Sequence, residues 1–584
     1  MTRRSLRFEQ LERRLLLAGD VKVAVSRGDL IVTGDQNPAA GVDETVQIAS
    51  LGGGAYRVTG SAGTQLVYNG QTGLEFDVPG VTRDVIVDMK TGTDSVTVLM
   101  DSAHLPLPRN LKIKGGTGID VITVEGGEIT GAMTLDGGSE DNTLEVTDTI
   151  VAKNVSLKGL AGVDTLTLGQ VEFRGKLTVD TGAGNDQLTI NGGGIVKDVA
   201  KDVSVKTGDG DDAVTLTGGD FGGKLTIDSG AGNDKNVTLD GGQVAKDVSI
   251  KTGEGDDVVE IIDGNLLGKL TINAGNGENV VTIDPTMVTK NVSITTGSGP
   301  DGVWLEEVEL GLKAKLTIST GSGNDRVGLL DSTVPGNISI STGNNNDQVG
   351  LVRVHTDASI TVKAGNGAYQ NADDKGDRIG LAGVTAVKNV TLDGGSAGTR
   401  GPWGASEVGV TGSKIDGNLT IKTGNAPDAV GIGDGDEIIG TMQAFLVDLN
   451  DDPIDFSDAT GKVHVDNGIV SINTGKYSDP KGDSDDWVVV DNASAKIFRL
   501  TTGKGNDNAK IVGDVAATQE VSVKMLEGDD WLTLAVDVAE FPAKALVDGG
   551  AGGFDTLETP NPEIVDLFPK VFKDSWENPI KLVI

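Results

Sequence analysis

The chain has 584 residues, a formal net charge of −37, 86 glycines and no cysteine. The acidic charge disfavours binding to nucleic acid or to an anionic membrane surface, and the lack of cysteine removes disulfide and thiol chemistry. Because the sequence contains no run of about 20 apolar residues, it predicts no transmembrane segment.

Residues 1–20 are basic and differ in composition from the remainder of the chain, so they predict a targeting-like segment. On the residues alone, a short amphipathic helix is the alternative. The pattern Phe8-Glu9-x-Leu11-Glu12-x-Arg14-x-Leu16-Leu17 resembles the LEPR-XLL segment of surface and exported proteins of planctomycete-type bacteria, although Arg13 stands where that motif has proline. The resemblance implies an extracellular or cell-surface location.

Residues 21–105 carry irregular β-type patterns and predict the first coils and an N-terminal cap. Residues 106–440 then repeat a unit of about 22 residues, built around a Gly-x-Gly-x-Asp turn. In the copy spanning 201–216, apolar and polar residues alternate on both sides of the turn, as expected for two half-buried strands. A short fixed period of this kind indicates stacked coils. The fold class is therefore predicted as all-β, a parallel β-solenoid of the β-helix type with capped ends.

Two outward columns support this stacking. Four residues before the turn glycine, the copies from Thr134 to Thr361 carry Ser or Thr, as in Thr134, Ser156 and Thr178. Two residues before it, Lys and Asp alternate from coil to coil, as in Lys114 and Asp136. Neighbours of opposite charge attract in register, so the alternation predicts a two-coil super-repeat.

The later parts of the chain depart from the repeat. An insertion at Ala368–Lys375 and a long turn at Gly394–Ser406 interrupt the regular solenoid. Residues 441–558 predict degenerate coils, and residues 559–584, rich in Pro, Phe and Trp, predict a C-terminal cap.

The turn resembles half of the calcium-binding nonapeptide of RTX, or haemolysin-type, repeats. The resemblance implies Ca²⁺ as a cofactor, bound by backbone carbonyls and by the carboxylates of stacked turns. The ligands that it implies are Asp120, Asp164, Asp186, Asp212, Asp234, Asp257, Asp301, Asp325, Asp347 and Asp507. The alternative is a corner that satisfies its own backbone without metal, since the motif occurs once per coil and Asn142 and Asn279 replace the aspartate twice.

The sequence offers little for catalysis. His104, His355 and His464 have no metal-ligand spacing and are predicted to lie on the surface. The five tryptophans are interpreted as not sharing a column, and the Lys/Asp column interrupts any flat hydroxyl array that could bind ice or polysaccharide. The tryptophans are Trp304, Trp403, Trp487, Trp531 and Trp576.

The function predicted from the sequence is a non-enzymatic, secreted or cell-surface structural or adhesive solenoid. Cell-envelope or matrix components are its possible partners, and its oligomeric state is undetermined. The alternative is a polysaccharide lyase or glycosidase that uses the long turns at 368–406. That alternative requires carboxylates to converge there with a basic or aromatic partner; the candidates are Asp373, Asp374, Asp377, Glu407, Arg378, Arg400 and Trp403.

Overall fold

The structure is a computed structural model in which two compact units, Met1–Leu225 and Thr226–Ile584, divide the chain. It describes residues 20–35, 43–61, 63–100, 107, 109–192, 199–365, 376–395, 406–424, 428–450, 452–475, 485–535, 545–550, 556–559 and 581–582. The predicted targeting segment, the Ala368–Lys375 insertion, most of the Gly394–Ser406 turn and nearly all of the predicted C-terminal cap lie outside these residues.

In each unit the predicted parallel β-solenoid is confirmed, with coils roughly 23 residues apart. A coil consists of a first strand, a glycine corner, a second strand and, in many coils, a short third strand. Each strand pairs in parallel with its equivalent in the next coil, as in Lys112 opposite Thr134. Paired residues of neighbouring coils are therefore separated in sequence by one repeat length, because one coil brings the chain back to the same position in the next strand.

The first unit begins with antiparallel pairs, such as the hairpin in which Val23 opposes Val32, before the parallel coils follow. The described first strands and opening hairpin strands of this unit are Asp20–Ser26, Asp29–Thr33, Gln65–Tyr68, Gln71–Gly73, Val85–Thr91, Leu111–Thr117, Met133–Ser139, Val155–Ala161, Leu177–Ala183 and Val203–Asp209. The second strands and their antiparallel partners are Thr45–Gly52, Ala55–Ser61, Glu75–Val78, Ser95–Leu99, Val121–Glu125, Thr143–Thr147, Thr165–Gly169, Gln187–Asn191 and Ala213–Thr217. The third strands are Glu128–Ile129, Ile150–Val151, Glu172–Phe173 and Asp220–Phe221.

The second unit contains parallel coils. Its described first strands are Leu225–Ala231, which begins one residue before the division, and Val248–Lys251, Leu270–Gly275, Val292–Thr296, Leu316–Ser319, Ile338–Ser341, Ile360–Lys363, Val390–Asp393, Leu419–Lys422, Val463–Asn473, Ala493–Thr501, Ala516–Lys524 and Ala545–Asp548. Val463–Asn473, Ala493–Thr501 and Ala516–Lys524 begin at the third-strand position and continue into the first strand. The second strands, some of which continue into the third, are Asn236–Asp240, Val258–Leu266, Val280–Val288, Gly302–Glu306, Arg326–Leu330, Gln348–Val352, Arg378–Ala382, Glu407–Thr411, Ala429–Gly433, Trp487–Asp491, Asn508–Val512, Trp531–Ala535, Thr556–Thr559 and Lys581–Leu582. The separate third strands are Gln243–Val244, Val308–Leu310, His355–Thr356, Thr385–Ala386 and Lys414–Ile415.

The core of each unit is a narrow aliphatic column made by the inward residue of every alternating pair. Leu225, Ile227 and Val248 are among these residues, and each is at most 1% exposed. The two predicted outward columns are also confirmed. Thr134 pairs with Ser156, and Lys114, Asp136 and Lys158 follow one another in register.

One excursion from the solenoid was not predicted. Residues 434–462, called the outer segment here, leave the coil after Gly433 and return at Val463. The segment contains helix α1 (Asp436–Gln443) and the short 3₁₀ helix Ser457–Ala459.

The outer segment packs on second strands that carry glycine at an outward position. A Cβ atom at Gly380 would lie 2.8 Å from the Leu446 side chain, and one at Gly431 would lie 3.0 Å from Ile438. Glycine therefore lets the segment reach the sheet, where Phe445 and its neighbours form a buried apolar cluster.

The interpretation that the tryptophans do not share a column was wrong for Trp487 and Trp531. Both open second strands in the second unit, and Asn508 pairs with each of them in parallel register. The two tryptophans therefore occupy one outward column, two coils apart.

Candidate functional site: a buried aspartate ladder

The last residue of each glycine corner carries the most distinctive chemistry of the fold. In the first unit, the Oδ1 atom of Asp120 accepts a hydrogen bond from the backbone N–H of Asp94 in the preceding coil at 2.9 Å. The same bond recurs from coil to coil at 2.8–3.1 Å. This aspartate ladder links Glu44, Asp94, Asp120, Asn142, Asp164, Asp186 and Asp212.

The second unit carries the same arrangement. Its bonds measure 2.9–3.2 Å and run along two sets of corners. The first set is Asp234, Asp257, Asn279, Asp301, Asp325, Asp347 and Asp377, and the second is Ser406, Asp428, Asp486, Asp507 and Asp530.

All ten aspartates predicted as calcium ligands belong to the ladder, and none is more than 3% exposed. The alternative to calcium binding was a corner that satisfies its own backbone. In nine of the ten aspartates, however, Oδ1 accepts the N–H of the preceding coil. The pattern also missed several members, including Asp94, Asp428 and Asp486. A Thr-Gly pair opens the corners that end at Asp428 and Asp486, and that signal could have found them.

Burial makes the charged form of these carboxyls unfavourable. It raises the pKa of Asp120 to about 7 and that of Asp164 to about 7, against the lowering effect of the accepted N–H. Burial and the neighbouring Asp507 charge raise the pKa of Asp486 to about 7. These three carboxyls are therefore buried acids whose raised pKa lies near neutral pH.

The second carboxylate oxygen meets different surroundings along the ladder. In two coils of the second unit the threonine five residues earlier bonds to it, with Thr296 Oγ1 at 2.6 Å from Asp301 Oδ2 and Thr320 Oγ1 at 2.5 Å from Asp325 Oδ2. The Oδ2 atom of Asp120 is buried without a hydrogen-bond partner, and glycine, Gly115, stands at the threonine position of that coil. A threonine does not by itself satisfy Oδ2, since Asp257 Oδ2 is unpartnered although Thr252 lies five residues earlier.

Two ladder positions show how the corner works without a carboxylate. Asn142 accepts the N–H of Asp120 through Oδ1, and its Nδ2 donates to the carbonyls of Gly138 at 3.3 Å and Glu140 at 2.7 Å. Asn279 in the second unit repeats both roles. An asparagine therefore forms hydrogen bonds through both of its side-chain polar atoms, whereas an aspartate such as Asp120 leaves Oδ2 without a partner.

The two carboxylate oxygens of a ladder aspartate differ in what they face. In nine of the ten aspartates predicted as ligands, Oδ1 accepts a backbone N–H, whereas Oδ2 of several, including Asp120, has no hydrogen-bond partner. Ca²⁺ takes six to eight oxygen ligands. Among the described residues, no group of three acidic or histidine side chains lies close enough to hold a metal ion. The Oδ1 atoms therefore form a row of hydrogen-bonded corners.

The residues proposed for catalysis are only partly described. Asp377 is buried in the ladder, while the Arg378 guanidinium pairs with Glu407 at 3.1 Å and lies 5.8 Å from the Phe445 ring. Asp373, Asp374, Arg400 and Trp403 fall outside the described residues, as does His104. Of the other two histidines, both exposed, His355 lies beside Asp357 and His464 beside Ser494.

Comparison of the chain with protein-family models, curated proteins and solved structures gives no match. Within the described residues, no helix is long and apolar enough to cross a membrane. The fold and the ladder thus define a β-solenoid with buried acidic corners.

Proposed function

We propose that the protein is a non-enzymatic structural or adhesive β-solenoid that acts outside the cell or on its surface, where it meets envelope or matrix components. The observation that carries the proposal is the aspartate ladder. Its hydrogen bonds link each coil to the next through side chains as well as through the strand ladders, an arrangement suited to a scaffold.

The extracellular location depends on the N-terminal resemblance to LEPR-XLL segments. Localisation of the full chain in the cells that produce it, by protease shaving of intact cells, tests this part of the proposal. Protection of the chain in intact cells but not in lysed cells would contradict it.

The geometry favours corners that fold without metal, and calcium binding remains the alternative that the turn motif implies. The test is a thermal melt of the full chain by circular dichroism in EDTA, in millimolar Ca²⁺ and in millimolar Mg²⁺. We expect a folded β signal in EDTA and the same melting temperature in all three conditions. Folding only with Ca²⁺, or a large Ca²⁺-specific rise in melting temperature, would make the ladder aspartates ligands.

A further inference from the structure

The column that contains Trp487 and Trp531 is an unusual surface in a chain with only 3% aromatic residues. The two side chains are 42% and 39% exposed, although tryptophan is normally well buried. Ala429 precedes Trp487 in the column, Asn508 lies between the two tryptophans, and Thr556 follows. The column therefore presents two half-exposed tryptophans, called the aromatic platforms here, with the polar residue Asn508 between them.

The spacing of the platforms is set by the solenoid. Strands of consecutive coils lie about 4.8 Å apart, so residues two coils apart in one column are separated by about 10 Å. An extended β-1,4-linked glycan presents the same face on every second ring with a comparable repeat. Sugar rings stack on aromatic side chains through their C–H faces, and the intervening Asn508 can hydrogen bond to hydroxyls.

The surface beside Trp487 is shaped as well. A cavity of about 220 Å³ lies between helix α1 and the sheet, lined by Trp487, Gly431, Thr441 and Met442 among others. The helix thus makes one wall of the column, and its Glu437 reaches Lys510 at 3.5 Å.

Charge narrows the ligand class. The chain carries 86 acidic and 49 basic residues, so a polyanionic polysaccharide would meet long-range repulsion. A neutral glycan would not, and its hydroxyls suit the mixed apolar and polar lining of the cavity.

We propose that the Trp487–Asn508–Trp531 column binds a neutral, extended β-1,4-linked glycan, with one ring on each tryptophan and a ring substituent in the cavity beside Trp487. The glycan chain runs across the strands, along the direction in which coils stack. This site goes beyond the scaffold role and does not depend on it, because a structural solenoid needs no ligand.

Affinity electrophoresis of the full chain in native gels tests the site. The gels contain hydroxyethyl cellulose or glucomannan as neutral β-1,4-linked probes, dextran as an α-linked control, or alginate as a polyanion. We expect retardation by the two neutral probes alone. Trp487→Ala and Trp531→Ala should each weaken retardation roughly fivefold or more, the lower range for loss of one aromatic stacking contact.

Two further variants keep the test decisive. Trp531→Tyr retains an aromatic face and should bind nearly as the parent does. Leu312→Ala removes a 92% exposed side chain in a turn outside the column and should bind as the parent does. Circular dichroism confirms that each variant is folded. Migration unaffected by both neutral probes, retardation by alginate alone, or equal retardation of the parent and the folded Trp487→Ala/Trp531→Ala double variant would overturn the proposal.

Discussion

Replacing Asp120 by asparagine should stabilise the protein at neutral pH, although it alters a buried and fully packed corner. Asn142 already occupies the next rung of the same ladder, so the amide has a local precedent. The new Oδ1 would still accept the N–H of Asp94, which the carboxylate accepts at 2.9 Å. The new Nδ2 would donate to the carbonyls of Gly116 and Gly118, as Asn142 donates to its own corner.

The magnitude follows from the pKa of Asp120, which burial raises from its ordinary value of 3.8 to about 7. Each pKa unit corresponds to ~1.4 kcal/mol, so ionising this carboxyl in the folded state costs ~4 kcal/mol at most. The pKa of Asp120 is higher in the folded state than in the unfolded state. The stability that its neutral carboxyl contributes is therefore fully present below pH 3.8 and is lost as pH rises through about 7. The Asp120→Asn variant should therefore gain little at pH 4 and several kcal/mol at pH 8.

Urea unfolding followed by circular dichroism at four pH values between 4 and 8 measures the effect. Between the two pKa values, the free energy of unfolding of the parent should fall by ~1.4 kcal/mol per pH unit more steeply than that of Asp120→Asn.

Two variants serve as controls. Asp141→Asn changes an exposed neighbour whose Oδ1 accepts the N–H of Val163, and should alter stability by less than about 0.5 kcal/mol. Asp120→Ala leaves the buried N–H of Asp94 unpaired and should be destabilising by about 1–3 kcal/mol near pH 4, where the carboxyl is mostly neutral. If Asp120→Asn has the same pH dependence as the parent, or is as unstable as Asp120→Ala, the account of the ladder as buried acids is wrong.

Three further predictions concern other parts of the fold. Leu160 has a φ of +101° at a corner where most coils have glycine. Leu160→Gly should therefore raise the free energy of unfolding, measured by urea titration, by about 1 kcal/mol. A lower free energy of unfolding would contradict this. A Cβ atom at Gly208 would overlap the carbonyl oxygen of Gly182. Gly208→Ala should therefore lower the free energy of unfolding by more than about 4 kcal/mol and abolish the folded signal in circular dichroism. A soluble variant with the melting temperature of the parent would refute the close approach. Arg353 pairs with Asp331 of the preceding coil and also reaches Asp458 of the outer segment at 3.1 Å. Arg353→Lys should therefore speed hydrogen exchange in residues 434–462 by an amount equivalent to about 1–2 kcal/mol. Unchanged exchange there would show that the apolar contacts alone hold the segment.

Much of the fold could be predicted because the period of the sequence is also the register of the parallel ladders. Counting residues along the repeat places Lys114, Asp136 and Lys158 in one column, and the strand register confirms that placement. The same counting identifies ten ladder aspartates, because they follow a glycine turn at constant spacing. Trp487 and Trp531 are also about two repeat lengths apart, so their spacing could have predicted the column that they share.

The outer segment could not be predicted in the same way. Its helix α1 occurs once, so no repeat supports it, and its apolar face is matched by glycines that belong to other coils. Gly380 and Gly431 look like ordinary strand glycines in the sequence, and their purpose appears only when Leu446 and Ile438 pack on them. Contacts between a unique segment and a repeated surface leave no periodic signal.

The direction of the side-chain hydrogen bonds explains why an acidic residue is tolerated at a buried corner at all. Ladder residues accept from the preceding coil, as Asp120 does from Asp94. The exposed residues just before them accept from the following coil, as Asp141 does from Val163 at 2.8 Å. The two rows therefore bind each coil from both sides, mostly through the short side chains of Asp and Asn, which reach nearby backbone N–H groups. Asparagine meets the geometric requirement at both rows, and only the buried row adds an electrostatic cost when aspartate is used. The predominance of aspartate there makes stability depend on pH, which a neutral ladder of identical geometry would not do.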